Sequence, residues 1–252
     1  MNCDPYKVVR DFESALCDYT GAKYAVTTTS CTAALMLAVA WHLKGWSEKV
    51  VRPAHSGDYC GDITRFVDTT HVWEYVTPRV EIPRFTYVGV PMSIVHAGGR
   101  PVFEDVSWSG GYQLKPLPVW DFARRFTSGM YNGMYKPYPD ARPGDAPHGT
   151  MMCISFHHTK ILCLAAHGGA ILHDNDEADE WLRRARFDGR KEGVAPKDDT
   201  FPMIGWHCYM TPATAAEGLM RLSVLPKHND DLPWGPGTSS DYPDLSKLEI
   251  FK

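Results

Sequence analysis

The sequence predicts an α/β protein with a largely parallel sheet. Short β-branched and apolar runs alternate with longer stretches of helical periodicity, the pattern of strands joined by crossover helices. Helix signals stand at the right places: Ser30 and Thr211 where caps belong, and Gly98–Gly99 where a helix entered near Pro91 must stop. At 252 residues the chain can bury a substantial core, as one large domain or two small ones.

Residues 5–18 have helical spacing that turns Val8, Phe12 and Leu16 inward, with Val9 beside them. Gly21 makes a turn before a strand at Tyr24–Thr28. Ser30 then caps the helix CTAALMLAVAWHL, which is rich in strong helix formers. This strand, polar turn and helix start form a geometry in which N–H groups and the helix dipole collect an anion. Residues 45–82 mix turn residues with β-prone pieces such as HVWEYV and read as an irregular insert with one or two strands. VGVPMSIVHAGG is a helix, PVFEDV a strand, SWSGGYQLKPL a turn and PVWDF another strand. Residues 128–149, dense in Gly, Pro, Tyr and Asp, form a loop of a length that compact domains keep for functional segments. MMCISF and HGGAILHD are strands. NDEADEWLRRARFDGR is a charged helix with Trp181 and Leu182 on its apolar stripe. TPATAAEGLMRLSVL is a final helix with Pro212 at its first position. Residues 1–225 are thus expected to form one domain, and 226–252 a loop-like tail able to cross onto a partner.

Composition removes several function classes. A net charge of -4 gives no broad basic field, so nucleic acid is not an expected partner. The longest apolar run, Ala33 to Trp41, falls far short of the ~20 residues that span a bilayer. The N-terminus, MNCDPYKVVRDFESAL, has early charges and no apolar signal-peptide core. Seven scattered cysteines read as reduced thiols rather than a disulfide framework. A cytoplasmic protein is expected.

The segment SFHHTKILCLAAHGGAIL, residues 155–172, puts one lysine in an unusual setting. Beyond Lys160 the chain carries no charged side chain, histidines aside, until Asp174. Desolvation lowers the pKa of an amine and makes it a nucleophile, so Lys160 fits a Schiff-base lysine. A lysine whose stem lies on apolar surface while its head reaches water fits the same local sequence.

The wider sequence resembles the DegT/DnrJ/StrS aminotransferases, pyridoxal-phosphate enzymes of fold type I that act on nucleotide-linked keto-sugars. Ser155, Phe156 and Lys160 match the family's SFxxxK pattern, and Gly168–Gly169 the glycines of the strand after it. YTGAKYAVTTTSCTAAL is similar to the family's YTGAKYAV…S-G-T-A-A-L, with Cys31 in place of the glycine. PRFTYVGVPMSIVHAGGRPVFEDV resembles its P-x-x-T-aromatic strand end, helix and G-x-x-PVF-x-DV run. Asp121-Phe122-Ala123-Arg124 stands at its D-x-A-Q strand end. These motifs keep family order over most of residues 11–225.

The resemblance implies roles. Lys160 would bind pyridoxal 5'-phosphate covalently and then move the proton between substrate and cofactor carbons, with pyridoxamine phosphate as the intermediate form. Asp121 would pair with the pyridinium nitrogen. Ser30, Cys31, Thr32 and Ser155 would hold the phosphate, and Tyr87 would stack on the ring. The implied reaction moves an amino group from an amino acid, glutamate above others, to a nucleotide-linked keto-sugar. The implied assembly is a homodimer that shares its sites.

Departures from the pattern are equally specific. Arg124 replaces the family's glutamine, within reach of the cofactor hydroxyl or phosphate. His207 stands at the asparagine that reaches the phosphate of the partner subunit, and Tyr209 at the neighbouring arginine. Between Val106 and Pro118 the chain lacks a stretch used for another strand and helix, ~30 residues by the size of such a unit. The C-terminal small domain is largely absent, and the insert at 45–82 or the loop at 128–149 is its expected substitute. Aromatics of HVWEYV and YNGMYKPYP are candidates to receive a nucleotide base. These departures keep open a degenerate homologue that binds cofactor or sugar nucleotide in a structural or regulatory role. A metal site built from Cys153, His157, His158, Cys163 and His167 is a further alternative, opposed by the lack of paired C-x-x-C spacing. A nucleophilic Cys31 paired with a histidine is the last.

Overall fold

The computed structural model describes residues 4–44, 61–67, 72–133, 149–233 and 242–252, the side chains of 61–76 and 133 excepted. Helix α1 (Lys7–Thr20) leads to β1 (Tyr24–Thr28) and α2 (Cys31–Leu43). Strands β2 (Gly61–Val67) and β3 (Val72–Pro83) follow, then α3 (Gly89–His96), β4 (Arg100–Glu104), β5 (Tyr112–Leu114) and β6 (Val119–Asp121). The chain continues through α4 (Met130–Gly133), β7 (Met151–Ser155), β8 (Gly169–His173), α5 (Asp176–Ala185) and α6 (Pro212–Ser223). Among the described residues, no helix is long and apolar enough to cross a membrane.

The α/β class is as expected, but the sheet is mixed rather than largely parallel. Its five strands lie in the order β1-β8-β7-β6-β5. Only β6 and β7 pair in parallel there; β8 runs against both of its neighbours. The cause is the connection. β7 and β8 are joined by a loop without a helix, and a parallel return needs a crossover that such a loop does not supply. A second sheet, β2-β3-β4, is tied to the first where Glu81 and Lys115 exchange backbone hydrogen bonds of 2.8 and 3.1 Å.

Helices cover both faces, so the central strands are buried at nearly every position and show no period-2 alternation. Val26, Val119, Met151, Cys153 and Ile171 join one core with α2 and α5. Ala25, Met152, Ile154, Ala170 and Leu172 join the other with α1 and α6. Helix α2 is apolar all round, as a helix packed on several sides must be. Glu13 of α1 fastens the layers from within: it accepts from the Thr27 N–H at 2.9 Å and from Arg183 at 2.6 Å, and it pairs with the buried Arg186.

Several boundaries shift from the sequence expectation. Val9, not Val8, lies fully inside, because Val9, Phe12, Glu13, Leu16 and Thr20 share the buried face of α1. The charged helix stops at Ala185, and Asp188 and Gly189 take left-handed φ of 58° and 77°. The insert carries two strands, β2 and β3, while residues 45–60 and 68–71 lie outside the described residues. So do 134–148 of the loop expected at 128–149. Tyr131 is buried, which removes it as a base-receiving aromatic. The segment expected as a plain turn before Pro118 contains β5, paired antiparallel with β6. The described end of the tail packs on its own chain: the Leu245 N–H donates to the Arg84 carbonyl at 3.0 Å, and Phe251 lies against Phe103.

Candidate functional site

β1, β6 and β7 point the same way, so their C-terminal ends meet at one edge of the sheet, and the reversed β8 begins there. Thr28 and Ser155 both stand opposite Gly169, and Asp121 stands opposite Cys153. A cavity of about 520 Å³ opens at this edge. Crevices outside the carboxyl ends of strands are where open α/β sheets bind ligands. Ser30, Cys31, Thr32, Tyr87, Asp121, Arg124, Ser155 and Lys160 all line it. His207 does not. It is exposed, with Nδ1 3.0 Å from Asp188, and its ring meets the edge of Tyr209.

Lys160 sits on the loop between β7 and β8, its N–H donating to the His157 carbonyl at 2.8 Å. Burial lowers the pKa of its amine and Arg124 lowers it further, while Asp121 and Cys31 act in the opposite sense. Asp121 ends β6 and is buried. Burial raises the pKa of its carboxyl, against the Ala123 N–H at 2.9 Å, the Tyr112 hydroxyl at 3.0 Å and the charge of Lys160. The cavity thus contains an amine made less basic and a carboxyl made less acidic than in water.

The other wall is the start of α2. The Ser30 side chain accepts from the Ala33 N–H at 3.1 Å and its carbonyl from the Ala34 N–H at 3.0 Å, while the N–H groups of Cys31 and Thr32, at the first two helical positions, have no carbonyl a turn earlier in the helix to bond. Gly169 lets β8 close on this turn: a Cβ there would stand 2.5 Å from the Cys31 nitrogen. Gly89 does the same for Tyr87 and Thr32, since its Cβ would lie 2.7 Å from the Tyr87 ring and 2.9 Å from the Thr32 hydroxyl. Tyr87 remains 56% exposed, a ring face available to a ligand. Arg124 lines the cavity while its guanidinium donates to the Leu232 and Pro233 carbonyls.

Sequence reasoning missed a buried relay behind Asp121. The Thr86 hydroxyl lies 2.6 Å from the Tyr112 hydroxyl, which donates to Asp121 Oδ2. Trp108 clamps this tyrosine from the side, ring centroids 4.7 Å apart, and donates to the Phe85 carbonyl. The three partners come from distant segments, and no local signal joins them. Trp108 and Tyr242 also line the cavity, the latter brought in by the tail.

The cysteine alternatives fail on placement. Burial raises the Cys31 thiol well above its ordinary value, with Asp121 and Cys153 adding to the effect and Lys160 opposing it, which works against a thiolate there. Cys153 is buried in β7 and Cys163 accepts from Arg221, so the five-residue metal set does not assemble; His157, His158 and His167 alone come together.

The residues fit pyridoxal phosphate. An amine, a buried carboxyl and an anion-collecting helix start line one cavity, and Gly169 gives close access to that helix start.

Comparison with known proteins agrees with this geometry. The profile of the DegT/DnrJ/EryC1/StrS aminotransferase family matches residues 3–56 and 138–231. The UDP-4-amino-4,6-dideoxy-N-acetyl-beta-L-altrosamine transaminase of Campylobacter jejuni is 25% identical over 237 residues, 88% of this chain and 58% of that protein. GDP-perosamine synthase of Caulobacter vibrioides is 24% identical over 242 residues, with the same two coverages of 88% and 58%. The chain therefore spans 58% of the length of these curated relatives. The crystal structure of NtdA from Bacillus subtilis with bound cofactor PMP superposes with a TM-score of 0.54 at 18% identity, over 86% of this chain and 48% of that one. That likeness is one of fold.

Proposed function

Because the chain belongs to the DegT/DnrJ/EryC1/StrS aminotransferase family, we propose that it transfers an amino group from an amino acid, glutamate above others, to a nucleotide-linked keto-sugar, with pyridoxal 5'-phosphate as cofactor. When bound, that cofactor supplies an aldehyde carbon that takes up an amine and a ring that draws electrons away from it. The family's known relatives act on nucleotide sugars by name, which supports the substrate class.

Within this reading each side chain has a task. Lys160 would hold the aldehyde carbon through its amine and would carry a proton as a base; burial lowers the pKa of that amine, which favours this role. Asp121, in the same cavity, would pair with the ring nitrogen of the bound cofactor, and its charge would keep that nitrogen protonated. The start of α2, with Ser30, Cys31, Thr32 and the hydroxyl of Ser155, binds the phosphate. Tyr87 covers the ring and keeps water from it. His207 lies outside the cavity of its own chain, in keeping with a homodimer in which it serves the partner's site.

The single observation that carries the proposal is the meeting of Lys160 and Asp121 in one cavity whose far wall is a helix start. Adding pyridoxal phosphate is expected to give a visible absorbance band that borohydride fixes on residue 160, read by peptide mass spectrometry. The same band in Lys160→Ala would overturn the assignment.

A further inference from the structure

Three histidines converge where the loop between β7 and β8 closes on itself. The Phe156 N–H donates to the Gly168 carbonyl at 2.9 Å and the Leu164 N–H to the Phe156 carbonyl at 2.9 Å. That pinch sets His157 and His167, the residues just inside it, face to face, with ring centroids 4.5 Å apart and planes within 11°. His158 stands 4.0 Å from the first ring and 5.5 Å from the second. One ring nitrogen from each lies within 4.8 Å of the other two. His167 takes this place with a φ of 63°, in the left-handed region that few residues other than glycine adopt.

We propose that His157, His158 and His167 form a binding site for one borderline divalent transition-metal ion, Zn²⁺ in the first instance. Ligand bonds of about 2.0–2.1 Å in a tetrahedral site bring their nitrogens to roughly 3.3 Å of one another. His158 and His167 are exposed, so their rings can swing inward by the remaining distance without repacking a core. Three imidazoles without a carboxylate suit Zn²⁺, Ni²⁺ or Cu²⁺ and reject Mg²⁺ and Ca²⁺, which need oxygen ligands. The loop also holds the His157 ring in place: its Nδ1 accepts from the Thr159 N–H at 3.3 Å and lies 2.9 Å from the Thr159 hydroxyl. Three protein nitrogens leave the fourth position for water. His157 and His167 line the cavity that contains Lys160, so the ion would sit in its wall. The site does not depend on the cofactor assignment.

The test uses the full chain without an affinity tag, freed of metal with EDTA. Co²⁺ should produce the intense visible bands of a four-coordinate ion, and Zn²⁺ should displace it at one equivalent with micromolar or tighter affinity. His158→Ala, and His167→Asn, which tolerates the left-handed backbone, should each weaken Zn²⁺ by at least about tenfold. Lys160→Ala should bind the metal no less tightly, which separates this site from the aminotransferase reading. Native chain that binds no ion below ~1 mM, or histidine variants that bind as tightly as it does, would overturn the proposal.

Discussion

Replacing Tyr112 by Phe removes one oxygen atom and breaks two buried hydrogen bonds, to Asp121 at 3.0 Å and to Thr86 at 2.6 Å. A bond to an ionised carboxylate contributes about 1.5–3 kcal/mol, and an orphaned Thr86 hydroxyl adds to the loss, for a total of about 2–4 kcal/mol. For a chain of this size that corresponds to a melting temperature lower by roughly 6–12 °C. The pH dependence identifies the cause. Burial raises the Asp121 pKa above its unfolded value, so the stability tied to this group is complete below the ordinary carboxyl range and is lost as pH rises through the folded value. Without the phenol proton the folded value moves up again. The two proteins should therefore differ least in acid, where Asp121 is protonated in both and the bond is worth ~0.5–1.5 kcal/mol, and most near neutrality. Urea unfolding of the cofactor-free proteins at pH 3, below the ordinary carboxyl range, and at pH 8 measures the two gaps. Equal gaps at both values would refute the relay from Thr86 through Tyr112 to Asp121.

Glu13→Gln should cost about 3–5 kcal/mol in urea unfolding, because the buried Arg186 and its neighbour Arg183 lose their counter-charge. Burial acts to raise the Glu13 pKa, but the two arginines outweigh it and lower it. The native chain should thus lose this contribution as pH falls through the folded value, and the Gln variant should show a flatter acid limb. Asp121→Asn should keep measurable pyridoxal-phosphate binding yet lose the half-reaction with glutamate; unchanged half-reaction rates would remove Asp121 from the chemistry. Analytical ultracentrifugation should show a dimer, and a monomer with full activity would refute the shared site.

Much of the site was legible along the chain because its parts are local. Ser30–Thr32 form a cap before an alanine-rich helix, Lys160 lies in a charge-poor run ahead of paired glycines, and Asp121 ends an apolar strand. Each is a short-range pattern, fixed by which residues follow one another. The strands themselves were found for the same reason, although MMCIS and GAILH are buried on both faces and show no alternation.

What the order of residues determined by itself is the list of elements, their caps and the chemical types gathered at their ends. Tertiary structure alone decided direction and company. The helix-free loop after Ser155 turns β8 against its neighbours, which brings Gly169 to the same edge as Thr28 and Asp121. β5 sits in a stretch that reads as a turn, and only its pairing with β6 places the Tyr112 hydroxyl on Asp121. Thr86, Tyr112 and Asp121 share no periodicity, and neither do His157 and His167; each group exists because backbone hydrogen bonds between distant residues close a particular loop or hairpin. Local propensity is written in neighbours, whereas a buried polar contact is selected by the low dielectric of a core that forms only when the whole sheet is assembled.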